Sequence, residues 1–152
     1  MPRVVHFEIC AKEPAKLADF YRDVFGWKID RWEGPVDYWL ITTGEDAQPG
    51  INGGFLEPGD VFTGTINTID VPDIDAFIEK VTQNGGQLVG EKLPIPGVGY
   101  QAYCRDVEGT VFGLHQEDAS VGPDRFSPRT AHPRPGSRRP APARPGLSRL
   151  PG

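Results

Sequence analysis

Apolar residues recur in this chain with two different spacings. Val5, Phe7 and Ile9 alternate with polar neighbours, which predicts a strand with one buried face. Glu13-Pro14 then marks a helix start, and Gly26 marks a helix end. Between them lies an apolar set with the i, i+3, i+4, i+7 spacing of a helix, formed by Leu17, Phe20, Tyr21 and Val24. Three strand-like segments follow, at residues 27–32, 38–43 and 51–56.

The same order of elements returns in the second half of the chain. Ile66, Ile69 and Val71 predict a strand, and Asp73 can cap the helix that follows it. The apolar set of that helix is Ile74, Phe77, Ile78 and Val81, and it ends at Gly85-Gly86. Strands are then predicted at residues 87–91, 100–105 and 111–115. Each half is therefore predicted to be a βαβββ module.

Neither half could bury enough apolar surface alone, so the two modules should pair. The sequence thus predicts one α+β domain over residues 3–117, with a curved sheet that forms a cup. If the helices cover one face of the sheet, alternation turns Val5, Phe7 and Ile9 towards them. His6, Glu8 and Cys10 would then face the cup, and such a concave surface suits a small-molecule ligand.

Charge is distributed unevenly over the 152 residues. The net charge is −5, but residues 118–152 carry seven arginines against two aspartates, so the remaining residues carry −10. An acidic body of this kind repels phosphates, which argues against nucleic acid as a partner. No run of about 18 apolar residues is present, so a membrane-spanning protein is not expected.

The segment 118–152 has its own composition. It contains eight prolines and few large apolar side chains, among them Val121 and Phe126, which predicts disorder. Its arginines could serve as an electrostatic tether or could simply be solvated. At the other end of the chain, the first residues lack the features of a secretory signal. Cys10 and Cys104 are not spaced as a CxxC motif, so we expect free thiols in a reducing cytoplasm.

Three stretches resemble the vicinal oxygen chelate superfamily, which includes glyoxalase I, extradiol dioxygenases, and bleomycin and fosfomycin resistance proteins. The first is His6-Phe-Glu-Ile with the helix end Phe20-Tyr-Arg-Asp-Val-Phe-Gly-Trp27. The second is the helix end Glu79-Lys-Val-Thr-Gln-Asn-Gly-Gly86, and the third is Cys104-Arg-Asp-Val-Glu-Gly-Thr-Val-Phe-Gly-Leu114. The resemblance implies the cup-shaped glyoxalase/bleomycin resistance fold, and it also implies a homodimer.

The resemblance further implies a divalent metal held by His, Gln or Glu side chains that face the cup. His6 matches the ligand position on the first strand. The corresponding position in the second half falls on Ile66 or Thr65, and that on the last strand falls on Gly113, so neither supplies a usual ligand. Residues 51–56 offer no carboxylate. We therefore predict no metal and no other cofactor, although Glu8 and His115 could be recruited beside His6 as unconventional ligands.

Without a metal, the pocket would depend on aromatic walls and a polar floor. The candidate ligand-binding residues are His6, Glu8, Trp39, Phe55, Tyr100 and Tyr103. Alternation separates Tyr38 and Leu40 from Trp39 and Ile41, but it does not say which pair faces the cup. Residues 93–99, with two prolines and two glycines, suit either a loop that closes the cup mouth or a simple connector. Gly53-Gly54 would leave space for close packing.

Three functions follow as hypotheses. The leading one is a metal-independent small-molecule binder of the bleomycin-resistance type. The alternative is a glyoxalase-like lyase, isomerase or dioxygenase, in which His6 uses unconventional ligands or acts with Glu8 as an acid/base pair. A third is a protein–protein module that uses the cup surface or the basic segment 118–152.

Overall fold

The computed structural model describes residues 1–122, in which eight strands and two helices follow one another in the predicted order. The elements are β1 (Arg3–Cys10), α1 (Pro14–Phe25), β2 (Lys28–Arg31), β3 (Trp39–Thr42), β4 (Asn52–Leu56), β5 (Thr65–Asp70), α2 (Ile74–Gln83), β6 (Gln87–Ile95), β7 (Gly99–Arg105) and β8 (Val111–Glu117). Neither helix within residues 1–122 is long and apolar enough to cross a membrane.

One curved 8-stranded sheet joins the two modules, with the strand order β2-β3-β4-β1-β5-β8-β7-β6. The junction is the antiparallel pair of β1 and β5, in which His6 lies opposite Thr68 and Glu8 lies opposite Ile66. On their other sides, β1 pairs in parallel with β4 and β5 pairs in parallel with β8. The predicted α+β fold of two βαβββ modules is confirmed, and the centre of the sheet is the place where the first strands of both modules meet.

Each helix covers its own apolar cluster on the same face of the sheet. The cluster under α1 contains Ala11, Ala18, Ile29, Ile41 and Phe55, and the cluster under α2 contains Val71, Ile74, Ala102, Cys104 and Leu114. Phe7 and Ile9 pack against the first cluster, as the alternation in β1 predicts. The even-numbered residues of β1 are therefore on the opposite, cup-side face.

Local signals place the helix ends where the sequence predicts them. Pro14 is the first residue of α1, a position where its missing N–H costs nothing. Gly26 ends α1 in the left-handed conformation, with φ of 69°, and its N–H donates to the Arg22 carbonyl. At the start of α2 the Asp73 carboxylate accepts from the Ala76 N–H at 3.1 Å.

The segment 93–99 does not form a loop over the cup. Strand β6 continues to Ile95, so only residues 96–98 remain as a turn into β7. Pro94 is compatible with this arrangement because β6 is an edge strand, where a missing N–H need not break the sheet. The turn is held by the chain that follows β8, since the Gly97 N–H donates to the Val121 carbonyl at 2.8 Å. The connector interpretation of this segment is the correct one.

The folded chain continues beyond the predicted domain end at residue 117. Val121 is buried, with 6% of its surface exposed, and the Asp118 N–H donates to the Val98 carbonyl at 2.9 Å. Residues 118–122 thus pack on the β6–β7 turn, and their predicted disorder is wrong. Residues 123–152, which make up the rest of the predicted tail, lie outside the described residues.

Candidate functional site

The cup side of the central strands carries a group of four polar side chains from both modules. His6 and Glu8 stand next to each other on one face of β1, Tyr38 comes immediately before β3, and Tyr103 lies on β7. Glu8 is almost completely buried, with 3% of its surface exposed, whereas the other three are half-buried. We refer to His6, Glu8, Tyr38 and Tyr103 as the Glu8 cluster.

Two phenols hold the Glu8 carboxylate. The Tyr103 hydroxyl donates to Glu8 Oε1 at 2.5 Å, and Tyr38 also hydrogen-bonds the carboxylate. Tyr38 Oη lies 2.7 Å from His6 Nε2 as well. A phenol has one hydrogen, so when Tyr38 donates to Glu8 its oxygen accepts from the His6 Nε2–H. The cluster is then a continuous chain of hydrogen bonds from the imidazole to Tyr103.

Burial changes the proton affinities of these groups in opposite directions. It raises the pKa of Glu8, although the hydrogen bonds from Tyr103 and Tyr38 partly oppose the rise. It lowers the pKa of His6, and the charge of His115 lowers it further. The pKa values of Tyr38 and Tyr103 are raised by burial and by the Glu8 charge, which keeps both phenols protonated. A carboxyl group that holds its proton more strongly and an imidazole that releases its proton more readily are suited to acid/base chemistry.

Two glycines make room for the side chains around the cluster. A Cβ atom on Gly54, opposite Glu8 in β4, would collide with the Tyr38 hydroxyl. A Cβ atom on Gly113, opposite Thr68 in β8, would lie 2.6 Å from Thr68 Oγ1 and 2.8 Å from Gln101 Nε2. Gln101 in turn hydrogen-bonds Tyr103. The position where the resemblance places a metal-binding glutamate is therefore filled by neighbouring polar side chains.

The donor set of the cup does not fit a divalent metal. Ile66 faces Glu8 and is 1% exposed, and neither it nor Gly113 has a side-chain donor. Within residues 1–122, no group of three or more His, Cys, Asp or Glu side chains is arranged to hold an ion. On β1, His6 is already hydrogen-bonded to Tyr38, and Glu8 is already hydrogen-bonded to Tyr103. The side chains of the cup therefore do not form a site for metal chemistry.

The structure brings together three of the six predicted binding residues. His6, Glu8 and Tyr103 belong to the Glu8 cluster. Trp39 and Phe55 instead pack in the apolar cluster under α1, and Tyr100 packs in the cluster under α2. The sequence left open which face of the strands these three side chains are on. In the structure the three rings face the helices and point away from the cup.

Within residues 1–122, His115, which the sequence offers as an unconventional ligand, has no hydrogen bond to the Glu8 cluster, although its charge acts on His6. It lies on the cup side, and its Nδ1 is 3.4 Å from Asp70 Oδ1. The two cysteines are free: Cys10 is on the cup side of β1, and Cys104 is in the core under α2. Burial raises the pKa of both thiols, and the Glu8 charge adds to the rise at Cys10, which disfavours either as a nucleophile.

Sequence reasoning missed Tyr38, the residue that links His6 to Glu8, and Phe62, whose ring contacts that of Tyr103 edge-on at 4.8 Å. The Gly53-Gly54 pair is the sequence feature that could have indicated a large side chain, such as that of Tyr38, packed against β4. Gly53 makes room for the Phe7 ring on the helix side, and Gly54 makes room for Tyr38 on the cup side. Phe62 lies in the connection between the modules, where no periodic pattern reports the direction of a side chain.

A surface cavity of about 250 Å³ lies away from the cup. It opens where β1 and β4 end and α1 begins. Its lining residues are Ala11, Lys12, Pro14, Asp37, Trp39, Phe55, Leu56, Glu57 and Pro58. None of the residues of the Glu8 cluster lines it. The Glu8 cluster and this cavity are therefore separate features of the molecule.

Comparison with known proteins places this fold in a family. The family described as the Glyoxalase/Bleomycin resistance protein/Dioxygenase superfamily matches residues 3–114. A glyoxylase-like domain-containing protein of Didymella fabae is 28% identical over 122 residues, which cover 70% of this chain and 88% of that protein. The glyoxylase-type protein CFP32 of Mycobacterium bovis is 31% identical over 111 residues, covering 68% of this chain but only 41% of that protein.

Solved structures show the same architecture at low sequence identity. A variant of the methylmalonyl-CoA epimerase of Streptomyces coelicolor, in complex with 2-nitronate-propionyl-CoA, is 18% identical, with a TM-score of 0.58 over 80% of this chain and 98% of that one. A superfamily member from Vibrio splendidus 12B01 is 20% identical, with a TM-score of 0.55 over 78% of this chain and 100% of that one. At these identities the likeness extends to the fold alone.

Proposed function

Because the chain belongs to the Glyoxalase/Bleomycin resistance protein/Dioxygenase superfamily, we propose that it uses the cup of this fold to bind a small aromatic molecule without a metal ion. The Glu8 cluster supplies the polar floor. The observation that carries the proposal is that Glu8, which is 3% exposed, is hydrogen-bonded by Tyr103 at 2.5 Å and by Tyr38. This binder is of the bleomycin-resistance type that the sequence favours.

Aromatic rings beside the cluster support this proposal. Trp32 contacts Tyr38 edge-on, with ring centroids 6.4 Å apart, and Phe62 contacts Tyr103 in the same way. All four side chains are half-buried, so each retains some accessible surface. Rings of this kind offer a large apolar area for a flat ligand, and the phenols offer polar contacts at its edge. These four rings take the role that the sequence assigned to Trp39, Phe55 and Tyr100.

Metal independence rests on the side chains present. The cup offers an isoleucine and a glycine at two of the positions where ligands are expected, and a carboxylate that is engaged by two phenols. A hydrogen-bonded carboxylate of this kind would have to lose both donors to coordinate an ion. Ligand recognition by hydrogen bonds and ring contacts requires no such rearrangement.

A ligand screen in the presence of a chelator tests the proposal. The full chain is melted with a panel of small aromatic compounds, since a ligand that binds only the folded state raises the melting temperature. Compounds that stabilise the wild type should lose their effect in the Glu8→Gln and Tyr103→Phe variants. Tyr100→Phe is the matched control, because it removes a phenol from the opposite face. Stabilisation that is equal in all four proteins would refute binding in the cup.

Acid/base catalysis is a second candidate function, and the opposite pKa shifts of Glu8 and His6 favour it. Glu8 would accept a proton from the carbon next to a carbonyl group, and the neutral His6, through Tyr38, would help to stabilise the enolate oxygen. Return of this proton from Glu8 to the neighbouring carbon would give an isomer of the substrate and restore the carboxylate. Proton exchange in D2O, followed by NMR on a panel of hydroxycarbonyl compounds, detects this step directly. Exchange that is lost in Glu8→Gln would favour the enzyme over the binder.

Two further expectations stay proposals, one from the family resemblance and one from the sequence. We propose that the chain forms a homodimer, which light scattering on the purified full chain would detect as twice the mass of one chain. We also propose a cytoplasmic location, which fractionation of cells that produce the protein would test.

A further inference from the structure

The outer surface of α1 carries a contiguous apolar patch. Phe20 and Val24, about one helical turn apart, are each 54% exposed, and Phe25 at the helix end is 58% exposed. Ring contacts connect the two phenylalanines, since the Tyr21 ring lies 5.3 Å from that of Phe20 and 6.0 Å from that of Phe25 between centroids. We refer to Phe20, Val24 and Phe25 as the α1 patch. Its exposed area is on the order of 300 Å², and a patch of this size on a monomer is often an interaction site.

The second module covers the corresponding positions with its own residues. Phe77 and Val81 occupy the same places in the apolar pattern of α2 as Phe20 and Val24 do in α1. Both are half-buried, and they pack against the cluster under α2. No large apolar side chain of α2, a helix that is described over its whole length, is exposed. The uncovered apolar area is therefore particular to α1 and is not a general consequence of the βαβββ module.

Two charged residues flank Phe20 on the same side of α1. Lys16 comes one turn before Phe20 and Asp23 comes one turn after it, so the two charges are about two helical turns apart. The Lys16 ammonium is 3.8 Å from the Glu13 carboxylate, in an exposed ion pair that contributes little to stability. Asp23 forms no ion pair within residues 1–122. This flank of α1 thus presents a positive charge, then an aromatic ring, then a negative charge.

We propose that this flank binds the same flank of a second copy of the chain, with the two α1 helices antiparallel about a two-fold axis near Phe20. In a two-fold contact, residue i meets residue j and residue j meets residue i. The two Phe20 rings would meet at the axis, and Lys16 would lie opposite the partner subunit's Asp23 at both ends. A parallel arrangement would instead place like charges opposite each other. The flank is therefore complementary to itself in one orientation, which favours a second copy over an unrelated protein.

The size of the α1 patch indicates a weak dimer. Two copies would bury about 600 Å² of apolar surface between them, with polar surface around it, which lies at the low end of specific interfaces. We expect the dimer to dissociate at micromolar concentration. This inference rests on the homodimer proposed above and adds which surfaces meet. It does not depend on ligand binding in the cup, since α1 lies on the opposite face of the sheet.

Truncation of the α1 patch tests the contact. Sedimentation equilibrium of the full chain over about 1–500 μM gives the dissociation constant of the dimer. Phe20→Ala should raise this constant at least about tenfold, because each dimer loses two buried rings, and Val24→Ala should raise it about threefold. Val107→Ala is the matched control, because Val107 is 74% exposed and lies outside the patch, and it should leave the constant unchanged. A dimer that is as strong in Phe20→Ala and Val24→Ala as in the wild type would overturn the proposal.

Charge reversal tests the orientation. Lys16→Glu and Asp23→Lys should each raise the dissociation constant about tenfold, because both ends of the contact then carry like charges. An equimolar mixture of the two variants should associate about as tightly as the wild type, since opposite charges meet again at both ends of the mixed pair. Lys28→Glu is the control, because Lys28 is also an exposed lysine with an ion pair, to Asp30, and it should leave dimerisation unchanged. If the mixture associates no more tightly than either variant alone, the antiparallel contact is refuted.

The homodimer and the α1 contact can fail separately. A chain that is monomeric at every concentration would overturn both. A dimer that none of the patch and charge variants weakens would leave the homodimer standing and refute the α1 contact alone. Melting temperatures close to that of the wild type, measured at low protein concentration, show that the variants are folded, so a loss of dimer then reports on the contact itself.

Discussion

The hydroxyl of Tyr103 donates a 2.5 Å hydrogen bond to the Glu8 carboxylate, although 95 positions of sequence separate the two residues. Glu8 belongs to the first module and Tyr103 to the second, so the bond crosses the junction of β1 and β5. The cup therefore has a polar floor only when both modules are correctly paired.

Removal of the Tyr103 hydroxyl should raise the pKa of Glu8 further. Burial raises the pKa of Glu8, and the hydrogen bond from Tyr103 lowers it. Because Tyr103→Phe removes this hydrogen bond, burial should raise the pKa further in the variant. NMR titration of the Glu8 side-chain carbonyl carbon measures the change. Tyr100→Phe, on the other face of β7, should leave the Glu8 pKa as it is. A Glu8 pKa that is unchanged or lower in Tyr103→Phe would contradict the hydrogen-bond assignment.

Ionisation of Glu8 should make folding stability decrease as the pH rises. The ordinary pKa of this carboxyl group is 4.5, and its pKa in the folded chain is higher, so the folded state binds the proton more tightly than the unfolded state. This contribution to stability is fully present below pH 4.5 and is lost as the pH rises through the folded-state pKa.

His6 should make folding stability change with pH in the opposite direction. Its pKa in the folded chain lies below the ordinary value of 6.5, so its contribution to stability is present above that value and is lost as the pH falls through the folded-state pKa.

Urea unfolding of the wild type and Glu8→Gln at several pH values isolates the Glu8 effect. The stability of the wild type relative to Glu8→Gln should fall with rising pH, and a difference that grows with pH would show that the assigned direction is wrong.

Gly54→Ala should disrupt the Glu8 cluster as well as destabilise the fold. The new methyl group would occupy the place of the Tyr38 hydroxyl, which would have to leave both His6 and Glu8. Overpacking of this kind costs about 1–3 kcal/mol in the free energy of unfolding. Gly50→Ala is the control, because nothing lies within 4 Å of a Cβ atom at that position. Equal losses of stability in the two variants would mean that Tyr38 does not fill the space beside Gly54.

Val121→Ala tests whether the domain includes residues 118–122. Val121 is 6% exposed, so loss of its two methyl groups should lower the free energy of unfolding by about 1–2 kcal/mol. Val107→Ala provides the comparison, since Val107 is 74% exposed and its truncation should change stability very little. If urea unfolding shows the same small change for both variants, the domain ends before Val121.

The fold could be predicted because its signals are local and periodic. The spacing of Leu17, Phe20, Tyr21 and Val24, the cap at Asp73 and the glycine at position 26 each act within a few residues. The repeat of the module then predicts the pairing of the two halves. The choice at residues 93–99 stayed open for a physical reason, since proline and glycine indicate a loop in most settings but are also tolerated at the end of an edge strand.

The site was predicted only in part, because strand alternation gives two faces without saying which one is concave. For β1 the helix-facing residues were clear, so His6 and Glu8 were assigned correctly to the cup side. For β3, tertiary contacts decide whether Tyr38 or Trp39 faces the cup. Trp39 faces the helices, because it packs against the core cluster that contains Phe55. The cross-module bond from Tyr103 to Glu8 has no local sequence signal at all.

Elemental analysis of the freshly purified full chain shows whether the Glu8 cluster works without a metal. We expect no stoichiometric nickel, zinc, iron or manganese, and the same metal content in the wild type and in His6→Ala. One equivalent of any of these metals in the wild type, lost in His6→Ala, would contradict this expectation.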